Sequence, residues 1–316
     1  MSVEEQNPWQ RLTEDEIQKL VESLDSLQEG ELGVTMLVAC GQRAVGPLRR
    51  FLLEGKPASV AEPRRRAVRT LAELGAQDAL LEYLRMPVNI PDPVLRFSEE
   101  TVISLAAKLL AQAPTEEICR TLLELAKERM LPGVAESLGA CRLTQGIPYL
   151  IRALGDDCCR TAAEDALSTM TAEARDWLVV AALHPEPSQD EETPSSLCRR
   201  RRSLRLLLEG RIGQREWMSL RSLLKEGDAE IAATTARLGM EVAGEQEKSA
   251  LIAVLLSCVD KSDWFLRSEI SEALLAHYDL AEPLIREAIA QRELKAGRGF
   301  DPGLALLYAA LRRAER

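Results

Sequence analysis

Short amphipathic helices recur along this chain at intervals of about 34 residues. In the stretch from Leu251 to Cys258, apolar residues fall at positions i, i+3, i+4 and i+7, which places them on one side of a helix. The first strongly apolar positions of successive helix pairs lie 29 to 40 residues apart: Val45, Leu80, Ile118, Ile147, Trp177, Trp217, Leu251 and Leu284. A period of 20 to 50 residues built from two helices is typical of a solenoid.

Helix boundaries are marked by local sequence signals throughout. Thr13 and Glu16 form a capping box, and Thr115 precedes two glutamates that suit the positive end of a helix dipole. Glycines follow the apolar stripes at Gly75, Gly139 and Gly239, where helices commonly end. Alternating strand-type patterns are rare, so the sequence predicts an all-α fold.

The repeats also share a motif. An apolar helix with an early proline, Gly146–Leu154, leads to Asp156 and Asp157, and Arg160 then opens an alanine-rich helix. The same order returns between Leu255 and Leu274. These residues resemble HEAT repeats, particularly the short bacterial kind found in phycobilisome-lyase-type HEAT-like proteins, over residues 34–312.

The resemblance implies an all-α, right-handed α-α superhelix, a HEAT-like solenoid of about seven to eight helix pairs. It also implies a structural ladder between neighbouring repeats, formed by turn aspartates and the arginine that follows them. The pairs would be Asp156 or Asp157 with Arg160, and Asp263 with Arg267. The motif specifies a fold well and an activity poorly.

We divide the chain at changes in composition. Residues 1–33 form an acidic N-terminal segment with a capping helix, 34–183 form HEAT-like repeats, and 197–316 form further repeats with a C-terminal capping helix. Residues 184–196 are polar and acidic and carry three prolines, so they offer no apolar surface to bury. We expect this insert to be disordered and dispensable for folding, or else to be a hinge between sub-domains.

Catalytic chemistry finds little support in the sequence. The chain has 2 histidines and 7 cysteines, and no cysteine pair has the spacing of a zinc site. The glycines of 297–303 miss the dinucleotide-binding spacing, and no strand precedes them. We therefore expect no catalytic residue, no metal and no cofactor. No apolar run approaches the roughly 20 residues of a spanning helix, so we expect a cytoplasmic protein without a membrane partner.

Three tryptophans follow an acidic residue at a helix start: Trp177, Trp217 and Trp264. Such residues could line a groove. Packing between repeats is the more common use of a helical tryptophan, and we predict core positions for all three.

Charge is distributed in blocks. Residues 42–69 hold eight basic and two acidic residues, and 197–225 hold nine and two, whereas 226–282 hold twelve acidic and four basic residues. The basic blocks contain two arginine runs, which we predict as docking sites for a protein partner with an acidic surface: Arg64, Arg65 and Arg66, and Arg199, Arg200, Arg201 and Arg202. The alternative is a solvated surface with local salt bridges.

Two classes of function remain open. The first is a non-catalytic scaffold or adaptor for protein–protein interactions through the solenoid surface, which the absence of a catalytic set favours. The alternative is an enzyme or enzyme subunit on a HEAT-like fold, either of the chromophore-lyase type or a glycosylase acting on nucleic acid. The net charge of −10 disfavours nucleic acid as a partner.

Overall fold

The computed structural model describes residues 11–87, 89–188, 191–295 and 302–314, which are almost entirely helical. The chain divides into two compact units, one made of residues 1–153 and 157–169 and the other of residues 154–156 and 170–316. The all-α fold built from repeated helix pairs, predicted from the sequence, is confirmed.

The first unit contains five successive helix pairs in its described residues. The helices are α1 (Glu14–Ser23), α2 (Gly30–Ala39), α3 (Val45–Glu54), α4 (Glu62–Glu73), α5 (Gln77–Arg85), α6 (Pro93–Leu110), α7 (Glu116–Glu128), α8 (Pro132–Ala140), α9 (Ile147–Ala153) and α10 (Arg160–Thr169). Each odd-numbered helix packs on the even-numbered helix that follows it. Helices α2, α4, α6, α8 and α10 also pack in sequence order, which gives the unit a continuous layer of second helices.

The second unit repeats this arrangement with four pairs in its described residues. The helices are α11 (Thr171–Leu183), α12 (Pro194–Gly210), α13 (Gln214–Leu220), α14 (Ala229–Val242), α15 (Glu245–Cys258), α16 (Trp264–Ala276), α17 (Tyr278–Lys295) and α18 (Pro302–Ala314). Helices α12, α14, α16 and α18 form the layer of second helices. We call it the α12–α18 layer.

The repeat positions predicted from the sequence all fall in the first helix of a pair, from α3 to α17. The described residues contain one pair more than the predicted seven to eight, because α1 and α2 form a complete pair ahead of Val45. Its weak sequence pattern has a simple cause. Helix α2 buries Gly30 and Gly33 beside Leu37, so the apolar stripe that marks the other repeats is thin here.

Polar caps define the helix starts. Side chains of Thr13, Asp92, Thr115 and Asp263 accept hydrogen bonds from backbone amides in the first turn of α1, α6, α7 and α16. These amides have no partner within the helix, so each cap stabilises its helix by about 1 kcal/mol. Gly75 lies just after the end of α4 and has a φ of 71°, a backbone conformation that glycine adopts without strain.

Helix α8 lies unusually close to both of its neighbours in the layer. A Cβ atom at Gly133 would lie 2.2 Å from the Ser104 carbonyl oxygen of α6, and one at Gly139 would lie 2.5 Å from the Ala166 Cβ of α10. Both glycines are buried. They therefore set the spacing of three consecutive second helices.

The segment predicted as a disordered insert, 184–196, has regular structure in its described part. Strands β1 (Pro187–Ser188) and β2 (Glu191–Glu192) pair antiparallel, and Pro194 already begins α12. The expected disorder therefore does not extend to these residues. Ion pairs to α12 supply the stabilisation that the missing apolar surface cannot, and they are described below.

Among the described residues, no helix is both long enough and apolar enough to cross a membrane.

Candidate functional site

The structure places the two predicted docking runs largely inside the protein. Arg64 is buried at the start of α4, and its Nη2 donates to Glu99 Oε1 of α6 at 2.8 Å. Both side chains are only 5% exposed. Arg64 also donates to the carbonyl oxygens of Phe51, Leu52 and Gly55, so it caps the end of α3.

The Glu99 carboxylate has a second donor in the buried hydroxyl of Tyr83, at 2.6 Å. Burial raises the pKa of Tyr83 far above its ordinary value, and the neighbouring Glu99 carboxylate adds to this rise. The hydroxyl therefore stays protonated and keeps donating. Arg64, Tyr83 and Glu99 form an internal polar cluster that joins two consecutive helix pairs, α3/α4 and α5/α6.

The other two arginines of this run differ from each other. Arg66 is buried and donates to Glu31 Oε1 at 3.0 Å and to the carbonyl oxygens of Leu24 and Ser26, so it holds α4 to the first helix pair. Arg65 is exposed, and its nearest carboxylate, Glu62, lies 3.9 Å away. Only the middle residue of the run faces solvent.

The second run begins with two buried arginines at the start of α12. Arg200 is 2% exposed, and its guanidinium donates to the Ala182 carbonyl, to Glu192 at 2.7 Å and to Glu226 at 2.6 Å. Arg199 donates to Glu186 and to the His184 carbonyl. Glu186 and Glu192 of the 184–196 segment thus neutralise Arg199 and Arg200, so these two arginines are already paired within the chain.

These contacts predict that Glu192 supports folding. We expect Glu192→Ala to lower the free energy of unfolding by about 2 kcal/mol, because it removes a charged hydrogen-bond acceptor from the buried Arg200. The matched control is Glu191→Ala, which removes the same charge from an exposed neighbour and should change stability by less than about 0.5 kcal/mol. Urea denaturation of both variants measures the difference. Equal losses of stability in the two variants would mean that the segment is dispensable for folding, as expected from the sequence.

The last two arginines of the run are half-buried on α12. Arg201 donates to Asp228 Oδ2 at 2.5 Å and lies 3.4 Å from Glu230. Burial by itself would raise the pKa of Asp228, but the hydrogen bonds from Arg201 and from the Ile231 amide outweigh it and lower that pKa. Arg202 follows Arg201 on α12 and also interacts with other groups of the chain.

The ion pairs continue across the α12–α18 layer. Arg205 of α12 donates to Glu230 of α14 at 2.8 Å and to Glu269 of α16 at 3.1 Å. Arg237 of α14 also pairs with Glu269, at 3.0 Å. The Arg205 side chain therefore passes over α14 and links the helices on either side of it.

Beside this network lies an open groove of about 260 Å³ between α12, α14 and α16. We call it the α12–α16 groove, and it is lined by Leu208, Arg237, Met240, Glu241, Glu269, Glu272, Ala273, Ala276 and His277. Glu241 and Glu272 are exposed, and neither has an ion-pair partner among the residues that the structure describes. The groove thus combines an apolar floor with two available carboxylates.

The tryptophans divide between core and surface. Trp217 is buried and its Nε1 points to Glu247 at 3.4 Å, as predicted for a core residue. Trp177 is 48% exposed, and Trp264 is 81% exposed at the first position of α16. The core prediction is therefore wrong for both Trp177 and Trp264. Phe265, the neighbour of Trp264, is 54% exposed and carries the Arg205 guanidinium 5.2 Å from its ring centre.

In the two predicted pairs, Asp157 and Asp263 make local contacts, whereas Asp228 accepts from Arg201 of the preceding helix pair. Asp157 pairs with Arg160 three residues later. Asp263 accepts from the Leu266 amide at 2.8 Å, whereas Arg267 donates to the Val259 carbonyl at 3.0 Å. Asp263 caps α16 and Arg267 ties the preceding turn to the same helix.

Other reactive groups are scattered. Within residues 11–87, 89–188, 191–295 and 302–314, no three histidine, cysteine or acidic side chains are grouped so that they could hold a metal ion. Cys40, Cys159 and Cys258 are buried free thiols. Burial raises the pKa of the Cys141 thiol to about 11, and the adjacent Cys119 adds to the rise, so Cys141 is a poor nucleophile at neutral pH.

One signal in the sequence points to the inter-repeat ion pairs. Arg49 and Glu82, Arg64 and Glu99, and Arg85 and Glu117 are separated by 33, 35 and 32 residues, which is one repeat in each case. An arginine with a carboxylate one repeat away is expected to meet it across a pair of packed helices. The exposed Trp264 and the groove carry no comparable signal.

No family model matches the chain, and no curated protein matches it. Among solved structures, it is similar to a chain of the Kap95:Nup1 complex, with 14% sequence identity and a TM-score of 0.45. The match covers 98% of this chain and 46% of that one, so this chain spans less than half of its length.

Proposed function

We propose that this chain is a non-catalytic scaffold built from HEAT-like repeats that binds a protein partner through its α12–α18 layer. The observation that carries the proposal is the exposure of Trp264 and Phe265 on α16. Large aromatic side chains at the surface of a stable helix lose apolar hydration when a partner covers them.

Trp264 and Phe265 lie on an ordered helix rather than in a flexible loop, which favours a role in binding. Asp263 caps the helix that carries both residues, so their backbone is ordered before any partner arrives. Phe265 is held under Arg205, which is itself fixed by Glu230 and Glu269. Tryptophan and arginine are enriched among the residues that dominate binding energy, and a preordered pair loses little entropy on binding.

The arginine runs take a different part in this proposal from the one predicted for them. Arg64, Arg66, Arg199 and Arg200 support the repeats from inside. Arg65, which is exposed, keeps the proposed role of meeting an acidic partner surface. It belongs to the first unit, and we assign the main contact to the second.

Site-specific photo-crosslinking in the native cells tests the proposal. A photoreactive amino acid replaces Trp264 in one full-length variant and Leu27, which is 89% exposed in the first unit, in the other. We expect a discrete protein adduct at position 264 that is absent at position 27. Identical adduct patterns at the two positions, or no protein adduct at 264, would reject the proposal.

A second variant measures the contribution of the indole. Trp264→Ala should weaken binding of the crosslinked protein, once purified, by at least about thirtyfold, which corresponds to a hot-spot residue. Because Trp264 makes little contact within the chain, thermal unfolding should be unchanged. Full affinity in this variant would place the interaction elsewhere.

A further inference from the structure

We infer that the α12–α16 groove binds a short basic and partly apolar segment of the partner protein. This inference deepens the proposed function and rests on it. It predicts a partner segment of charge opposite to the one expected from the arginine runs. Most arginines of those runs are paired with acids of the chain, whereas Glu241 and Glu272 of the groove have no such pair among the described residues.

The groove keeps a negative charge after internal pairing. Its lining contains three carboxylates, Glu241, Glu269 and Glu272, against one guanidinium, Arg237. Glu269 is occupied by Arg205 and Arg237. Glu241 and Glu272 therefore remain available to a cation from outside, on facing helices α14 and α16.

The floor of the groove suits the stem of a long basic side chain. Leu208, Met240, Ala273 and Ala276 supply apolar surface, and the two alanines leave space where larger residues would fill it. Lysine and arginine bury their methylene stems against such surfaces while the charged end reaches polar groups. The volume of about 260 Å³ fits one or two side chains and lies below the usual range for small-molecule sites.

The length of the segment follows from helix α16. Phe265, Glu269, Glu272 and Ala276 follow one another at helical spacing along one face. From Phe265 to Ala276 the helix rises by about 16 Å, which an extended peptide of about five residues spans. We expect an apolar residue of the segment near Phe265 and a lysine or arginine near Glu272.

The two available carboxylates favour a peptide over nucleic acid. Four acidic residues of 226–282 are paired with arginines of α12: Glu226, Asp228, Glu230 and Glu269. Glu241 and Glu272 have no such pair in the described part of the chain. Unpaired carboxylates attract a cationic side chain and repel phosphate groups. A basic protein segment is thus the occupant that matches both the floor and the carboxylates.

Fluorescence anisotropy with the full chain tests this inference. The probes are two labelled eight-residue peptides, one of alternating lysine and leucine and one of alternating glutamate and leucine. We expect the lysine peptide to bind and the glutamate peptide not to bind. The double variant Glu241→Gln/Glu272→Gln should weaken the lysine peptide by about tenfold, since each exposed ion pair contributes up to about fivefold.

A matched double variant separates local contacts from total charge. Glu22→Gln/Glu73→Gln removes the same charge from exposed acids of the first unit and should change affinity by less than about twofold. Reversal by Glu241→Lys/Glu272→Lys should transfer binding to the glutamate peptide. Equal weakening by the two neutral variants, or no binding of the lysine peptide, would overturn the inference.

The outcome is distinguishable from that of the crosslinking test. An adduct at position 264 without peptide binding would support the proposed scaffold function. It would reject the inference that the groove binds a basic segment. Peptide binding that depends on Glu241 and Glu272 without an adduct at position 264 would keep the groove as a site for a basic segment and reject the proposed function.

Discussion

Arg64→Met is expected to lower the free energy of unfolding by about 3–5 kcal/mol. The substitution leaves the Glu99 carboxylate buried without its cation, and it removes three hydrogen bonds that cap α3. Urea denaturation followed by circular dichroism measures the loss. The adjacent Arg65→Met removes the same charge from an exposed position and should cost no more than about 0.5 kcal/mol.

A double variant assigns part of this loss to the buried charge. In Arg64→Met/Glu99→Gln the residual partner is neutral and still accepts from the Tyr83 hydroxyl. We expect it to be more stable than the sum of the single changes implies, by a coupling energy of about 1–3 kcal/mol. Strict additivity, or equal losses for Arg64→Met and Arg65→Met, would show that the buried pair does not stabilise the fold.

Gly133→Ala is expected to cost about 3 kcal/mol, the upper part of the usual range for overpacking. The new methyl group would meet backbone atoms of Ser104, at 2.2 Å and 2.5 Å, and backbone cannot rotate away as a side chain can. Helices α6 and α8 would have to separate, which also loosens the core between them.

The control is a glycine with open surroundings. Gly46 lies within α3, and outside its adjacent residues and the backbone of its own helix no atom stands within 4 Å of the position that its Cβ would take. Gly46→Ala should therefore stabilise the chain by about 0.5–1 kcal/mol through the lower entropy of the unfolded state. Gly133→Ala with unchanged stability would mean that α6 and α8 tolerate a wider spacing than the structure gives them.

The repeated fold was predictable because it depends on a one-dimensional period. The apolar positions at Val45, Ile147 and Leu251 recur with a spacing that only paired helices satisfy, and they fall in α3, α9 and α15. The Thr13 cap is equally local, and the capping box predicted from Thr13 and Glu16 is present at the start of α1. Each apolar stripe and each cap depends only on residues that lie close together in the sequence.

The site was not predictable to the same degree, because it depends on which side chains meet. A run such as Arg199–Arg202 gives its charge in the sequence but not its burial, which depends on Glu192 and Glu226 arriving from other segments. Trp264 follows an acidic residue, as the buried Trp217 does. Trp264 is nevertheless 81% exposed at the first position of α16, and nothing in the local sequence distinguishes it from the buried tryptophan.

The path of Arg205 over α14 changes how the second unit is expected to unfold. A simple solenoid couples only adjacent repeats, so its ends fray independently of its middle. Here α12 is tied to α16 as well as to α14, and opening either outer helix breaks a contact that both share. Amide protons of α12, α14 and α16 should therefore exchange as one cooperative block, with a single opening free energy in place of a gradient along the chain.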